Sequence, residues 1–441
     1  MNFNNKKVAF YTLGCKVNQY ESESIKNQLI KIGYEEENFE NKSDIYIVNS
    51  CTVTSIADKK TRNVLRRAKK MNPESIVIVT GCYAQTNSKE LLEIEEIDFV
   101  VGNSNKSGLV DFIQDIENKK SKVLTENIFE ERTYEEYEFA TLREMSRAYI
   151  KIQDGCNNFC SYCKIPFGRG KSRSRSLESI CKEIEVLTKE GFKEFIIIGI
   201  NLGAYGEDLD SEINLETLLE TVVKLEGVER VRIGSMYPDK ISDRFIEIMR
   251  ENSNKLMPHL HISLQSCDNT VLERMRRNYG AELIQERLLK LRENVENMEY
   301  TADVIVGFPG ETDEMFNNTY EVIKNIGFSD LHVFQYSDRE KTLANTFTDK
   351  IDGNVKKKRA EVLETLRKEM GKERREKYIG KELEVLVEEI KEDGCSYGYS
   401  QNYLRVKTLE ATAGVNELVK VEISNLEKEL LIGNDKGKRV S

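Results

Sequence analysis

Short apolar runs alternate with longer amphipathic stretches along most of this chain. Over the first 125 residues, the runs at 7–13, 44–48, 76–80 and 99–101 have strand character. Between them, stretches at 18–32, 54–70, 87–94 and 106–117 read as helices. Strands separated by helices predict a parallel sheet with crossover helices. From residue 148 the alternation resumes, with strand candidates at 148–153, 194–199, 229–234, 259–264, 301–306 and 330–335. A helical stretch follows each, near 176–190, 214–225, 241–252, 281–295, 311–326 and 355–377. Six successive βα units predict a partial or complete barrel, with its chemistry at the C-terminal ends of the strands.

The periodicity changes twice. Between 126 and 147 there are seven Glu and no long apolar run, which reads as a linker or irregular excursion. Beyond 377, ELEVLVEEI, SYGYSQNYLRVKTL and ELVKVEISNLEKELLIG alternate over short distances between turn residues, the pattern of a small β-barrel. The expected fold class is therefore α/β in three units. These are an N-terminal parallel α/β unit (1–125), a (βα)6 partial barrel (148–376) and a terminal β-barrel (377–441), with 126–147 as the linker.

Composition narrows the function. The formal net charge of −10 argues against a nonspecific nucleic-acid coat but leaves room for a local basic patch. No stretch approaches the roughly 20 apolar residues of a membrane helix, and no apolar signal region precedes the first strand. A cytoplasmic protein without a membrane partner is expected. In that reducing compartment, nine cysteines point to metal or catalysis instead of disulfides. With only three His, any metal site must be mostly thiolate.

Cys156, Cys160 and Cys163 form C-x3-C-x2-C directly after the first strand of the barrel-like region. Three thiolates on one loop suit three irons of a [4Fe–4S] cluster and leave the fourth iron open. S-adenosylmethionine could chelate that iron and be cleaved there to a radical. The alternative is a structural zinc knuckle. It needs a fourth ligand, yet the next Cys is Cys181, and no His occurs before His259.

Cys15, Cys51 and Cys82 form a second set, each just after a strand and just before a helix. Neighbouring strand ends of a parallel sheet converge on one crevice, so these thiols meet in space and can hold a second cluster. Three separately buried cysteines are the alternative. Cys181, Cys267 and Cys395 have no such setting and read as packing residues.

With these motifs in view, the chain resembles the radical S-adenosylmethionine methylthiotransferases over nearly its whole length. TLGCKVNQYESE at 12–23 resembles the branch acting on N6-threonylcarbamoyladenosine in tRNA. HLHISLQS at 259–266, RMRRNY at 274–279, ADVIVGFPGETDEMF at 302–316, LHVFQYSDRE at 331–340 and SQNYLRV at 400–406 also match. The resemblance implies two [4Fe–4S] clusters, S-adenosylmethionine and an RNA-binding terminal barrel of the TRAM type. The implied reaction adds a methylthio group at C2 of the modified adenosine beside the anticodon. A small electron-transfer protein and a sulfur donor are the implied partners besides tRNA. Isopentenyladenosine in tRNA and a ribosomal protein are the other substrates of the superfamily. A noncatalytic, zinc-stabilised RNA-binding protein is the reading from another class.

The resemblance also places Tyr162 near the adenine of the cofactor and Ser235 on the cofactor side. The family's Ser-x-Glu is Ser235-Met236-Tyr237 here, its Gln-Ser-Gly is Gln265-Ser266-Cys267, and its Pro-Tyr-Ser is Gln335-Tyr336-Ser337. Gln265 and Asp303 stand at or near strand positions that face a cofactor, or are structural. KIPFGRGKSRSRSL at 164–177 carries Lys164, Arg169, Lys171, Arg173 and Arg175 without an acid. Either it meets RNA phosphates or it is a solvated loop. Arg274, Arg276 and Arg277 are a second candidate patch, and the 356–377 helix, with ten basic and five acidic residues, a third. The terminal barrel is not basic, so RNA contact there would rest on Tyr397, Tyr399, Tyr403 and Arg405 stacking on bases. Those tyrosines could equally pack their own sheet.

Overall fold

The computed structural model describes residues 6–116, 121–137, 146–210, 212–409 and 412–438. Its first sheet is parallel throughout. In spatial order the strands are Glu35–Glu36, Lys7–Thr12, Ile45–Ser50, Ile76–Gly81, Phe99–Val101 and Val123–Leu124. The central strand Ile45–Ser50 is buried at every position, as a sheet covered on both faces requires. Two apolar clusters fill those faces. Tyr46, Val48 and Val77 lie in one, and Ile45, Ile47 and Ile78 in the other. The two-residue edge strands were not expected, because so short a run shows no alternation.

Helices Lys16–Lys31 and Ser55–Met71 cross between the strands. The second begins where the Thr54 side chain accepts from the Ala57 amide, and it buries Val64, Leu65 and Ala68. The helix expected at 87–94 is instead two short ones, Cys82–Thr86 and Ser88–Leu92, broken at Asn87. The helix expected at 106–117 is Leu109–Gln114, and residue 117 lies outside the described residues.

The second region holds the six βα units in two parallel sheets. One orders Arg230–Ile233, Glu194–Ile198 and Arg147–Lys151; the other orders Ser235–Met236, His259–Gln265, Glu299–Val306 and Asp330–Gln335. The third strand is divided at Gly234 and contributes to both. Among the described residues the first and last strands are not paired, so the barrel is open. Alternation sets its two faces. Ala148, Ile150, Phe195 and Ile197 belong to the main core of the unit. Tyr149, Ile196 and Ile198 pack instead against Val17 and Tyr20 of helix Lys16–Lys31.

Of the 126–147 segment, residues 138–145 lie outside the described residues, and 126–137 contain no helix or strand. Its Ile128 and Tyr137 are nonetheless buried, and Tyr134 donates to the Lys151 carbonyl at 3.0 Å. After helix Gly353–Glu376 the chain forms a closed five-stranded barrel. Its strands run in the order Glu382–Ile390, Ser396–Ser400, Arg405–Leu409, Leu430–Lys438 and Leu418–Glu427, around Leu383, Val385, Val406, Val421 and Leu431. Among the described residues no helix is long and apolar enough to cross a membrane.

Candidate active site

Each N-terminal cysteine occupies the same place in its βα unit. Cys15 precedes helix Lys16–Lys31, Cys51 follows strand Ile45–Ser50, and Cys82 opens helix Cys82–Thr86. The three strands before them are neighbours in register, so their C-terminal ends are adjacent. Gly14 shows how tight this end is. It has φ +96°, and a Cβ there would lie 2.9 Å from Cys51 Cβ and 3.0 Å from its Sγ. Burial, then the neighbouring Cys82 and Cys15, lift the Cys51 thiol to about 12. Cys15 is exposed to the cavity, yet the protein atoms packed around its thiol raise it as well, against the pull of Arg169. Such thiols hold their protons until a metal replaces them, and a coordinating thiol is then deprotonated outright.

The other trio lies on the loop between strand Gln153–Asp154 and helix Ile165–Arg169. Gly155, at φ +71°, lets this loop fold against Lys171, whose carbonyl oxygen would be 1.8 Å from an added Cβ. The Cys156 amide donates to Gly170 O at 3.1 Å, and the Cys163 amide to Cys160 O at 3.0 Å. Burial and then Cys160 push the Cys163 thiol up to about 12. The two trios are linked through the helix that follows this loop. A Cβ on Gly168 would lie 3.2 Å from Cys82 Cβ. Asn103 Nδ2 donates to Gly168 O at 2.6 Å and lies 3.5 Å from Cys82 Sγ.

Each trio is a soft, all-sulfur donor set of three, which fits an iron–sulfur cluster with one iron free of protein. Beside the radical loop, Arg277 Nη2 donates to Tyr162 Oη at 2.6 Å, and the guanidinium lies 4.6 Å from the Tyr237 ring centroid. The buried Arg277 Nε and Nη1 make no hydrogen bond among the described residues. Orphaned cationic donors near Cys160 suit an anionic group, such as the carboxylate of S-adenosylmethionine. Tyr237, standing where the family carries Glu, forms part of this aromatic surround.

The expected phosphate contacts need correction. Arg169 is 1% exposed and bonds Glu21 Oε1 at 2.8 Å, Asp154 Oδ1 at 2.9 Å and Asn18 Oδ1 at 2.5 Å. Lys106 and Lys151 reach the same Glu21 at 2.6 and 2.8 Å. Burial opposes charge on Glu21, but Arg169, Lys106 and Lys151 hold its carboxyl well below the usual range. Arg173 is buried and donates to the carbonyl oxygens of Arg169 and Lys171. Arg175 is buried against Glu183. Arg169 therefore helps form the joint between the first two units through the distant Glu21, while Arg173 and Arg175 are satisfied within the second unit. Arg276, with φ +57°, is exposed, whereas Arg277 faces the radical loop.

A cavity of about 1660 Å³ lies where the three units meet; Cys15, Cys51, Ser235, Asp303 and Tyr403 are among its walls. Ser235 is exposed to it, and Asp303 Oδ1 lies 3.2 Å from both His261 Nε2 and His332 Nδ1. Gln265 is buried at φ +69°, where the register of its strand shifts. Tyr399 and Tyr403 stack on each other at 4.6 Å within the terminal barrel, and both also face the Arg147 guanidinium of the radical unit. Tyr403 lies 4.8 Å from the His259 ring and 4.8 Å from the Arg232 guanidinium. Beneath them, burial lifts the Glu194 carboxyl, and Arg232, Arg147 and Arg230 outweigh it to bring it to about 2. Cys267 is in the main core, Cys181 is partly buried on helix Leu177–Lys189, and Cys395 is buried in the terminal barrel. Sequence reasoning passed over Glu21 and the histidines; strand register reveals what His261 and His332 face, and the packing of helix Lys16–Lys31 on the second unit what Glu21 faces.

Residues 7–102 match a family described as uncharacterized protein family UPF0004, and residues 150–323 match the radical SAM superfamily. A threonylcarbamoyladenosine tRNA methylthiotransferase MtaB from Bacillus subtilis is 42% identical over 94% of this chain and 93% of its own. The chain belongs to the radical S-adenosylmethionine methylthiotransferases. A tRNA-2-methylthio-N(6)-dimethylallyladenosine synthase from Finegoldia magna is 34% identical over 86% of this chain and 82% of its own. This methylthiotransferase is thus nearer the Bacillus relative. In fold it is similar to the solved radical S-adenosylmethionine methyltransferase TsrM from Kitasatospora setae, with a TM-score of 0.57, 14% identity and 77% of each chain covered.

Proposed function

We propose that this chain adds a methylthio group to C2 of N6-threonylcarbamoyladenosine in tRNA. Its cofactors are two [4Fe–4S] clusters and S-adenosylmethionine. Cys156, Cys160 and Cys163 hold one cluster; Cys15, Cys51 and Cys82 hold the other. When bound, the first cluster supplies the electron that cleaves S-adenosylmethionine to a 5′-deoxyadenosyl radical, and the second carries the sulfur. A radical is needed because the C2–H bond of adenosine is too inert for ordinary acid–base chemistry.

The observation that carries this reading is the packing of Cys82, one member of the assembled trio, against Gly168 and Asn103, Gly168 lying on the helix that directly follows the radical loop. Holding both reacting ends in one place replaces a bimolecular encounter with a positioned one. The chain's own residues have distinct tasks. Arg277 offers its free donors to the cofactor carboxylate, and Tyr162 and Tyr237 shape the space around it. Glu21, with Arg169, Lys106 and Lys151, holds the first unit against the second. Arg276 meets phosphate at the surface. A small electron-transfer protein supplies the electron and a separate donor the sulfur, in the cytoplasm. Division of the chain into 1–125, 148–376 and 377–441, with RNA contact by the last, is part of the same proposal.

Mass spectrometry of tRNA nucleosides from a deletion strain, with and without this gene restored, tests the reading. The methylthio form of threonylcarbamoyladenosine should vanish and return with the gene. Loss of the methylthio group from isopentenyladenosine, or from a ribosomal protein, would assign the other substrates instead.

A further inference from the structure

His261, Asp303 and His332 stand on three adjacent strands of the radical unit. His261 is in register with Thr301, and Asp303 with His332. Since Thr301 and Asp303 are two residues apart on one strand, all three side chains emerge on the same face. His261 Nε2 and His332 Nδ1 each lie 3.2 Å from the same Asp303 oxygen. One candidate ligand atom from each residue lies within 4.8 Å of the other two. The second ring nitrogen of His261 contacts Thr301 Oγ1 at 2.8 Å, which orients Nε2 toward Asp303. All three residues line the cavity that also holds Cys15 and Cys51. None of them belongs to either cysteine trio.

We propose that His261, Asp303 and His332 bind one divalent first-row transition cation, such as Zn²⁺ or Fe²⁺, distinct from the iron–sulfur clusters. Two imidazoles and a carboxylate are the mixed nitrogen and oxygen donors these ions favour. Three protein ligands leave further positions open, the arrangement of a catalytic site and not of a closed structural one. Those positions face the cavity, so water or an oxygen donor on a bound ligand completes the shell. The Thr301 hydroxyl supplies the outer contact that fixes the orientation of a ligating histidine. This inference does not depend on which nucleoside the enzyme modifies.

Calorimetric titration of the cluster-loaded, oxygen-protected enzyme with Zn²⁺ tests it, with metal analysis after desalting. One Zn²⁺ per chain is expected beyond the iron of the clusters. His261→Ala and Asp303→Asn should abolish that binding while leaving the cluster absorbance unchanged. Asp303→Asn keeps the shape and a hydrogen-bonding oxygen, so it guards against simple misfolding. Thr301→Val should weaken binding by about 10-fold to 100-fold, as loss of an outer-shell contact does. No retained Zn²⁺ in the parent enzyme would overturn the proposal and leave an ordinary hydrogen-bonded trio. Equal retention by parent and variants would overturn it too, placing the metal on free thiols such as Cys181.

Discussion

The two cysteine trios reach similar donor sets by opposite routes. Cys156, Cys160 and Cys163 share one loop, whose geometry is closed by its own backbone bonds to Gly170 and Cys160. Cys15, Cys51 and Cys82 come from three loops, and only the register of three strands brings them together. The first trio is a local structure and the second a tertiary one. The local trio is pinned from outside at Ser161, by the Met275 carbonyl and the Ala344 amide, while the assembled trio depends on the elements that hold the first sheet in place.

The sharpest way to break this comparison is to remove one ligand from each trio. Cys160→Ala should abolish formation of 5′-deoxyadenosine and of product, both read by liquid chromatography and mass spectrometry. Cys51→Ala should keep 5′-deoxyadenosine formation and lose only methylthio insertion. Product from the Cys51 variant at the parent level would erase the distinction between the trios.

Glu21→Gln comes next. It leaves Arg169, Lys106 and Lys151 buried around a neutral amide. Removing one partner of a buried ion pair typically costs about 3–5 kcal/mol, read here by denaturant unfolding. Asp154 still pairs with Arg169 and Lys151, so the variant should fold but release iron from the assembled trio first. Preferential loss from the radical loop would reverse the argument.

Gly14→Ala is a smaller and more local test. A side chain at φ +96° is strained by about 1–3 kcal/mol, and its Cβ meets Cys51. Iron content should fall toward that of one cluster while cofactor cleavage persists. Arg276→Ala should have the least effect. It should raise KM for tRNA a few-fold without changing kcat, and reduce the salt slope of binding by about 1. An equal effect from a buried neighbour such as Arg173 would count against a surface phosphate role.

How much could be read from the chain differs in the same way. The alternating runs located the parallel sheets, the six βα units and the terminal barrel, because periodicity is a local property. Both trios were visible as motifs, one by spacing and the other by equivalent position after a strand. The burial of Arg169, Arg173 and Arg175 is not legible in the basic run at 164–177, for a physical reason. Charge in a sequence does not reveal whether water or a distant carboxylate will solvate it. Here the distant Glu21 does so for Arg169, joined by the nearer Asp154, and Glu183 does so for Arg175. Tyr403 likewise gave no sign that it would lie against His259 and Arg232 of the radical unit.

The order of residues alone determined where strands and helices form and which thiols stand at strand ends. Hydrophobic period and turn chemistry act over a few residues and need no distant partner. Tertiary structure alone decided which charges are buried, that Cys82 packs against the helix following the radical loop, and that two histidines and an aspartate share one face. Those outcomes depend on strand order and register, which bring together groups separated by tens or hundreds of residues.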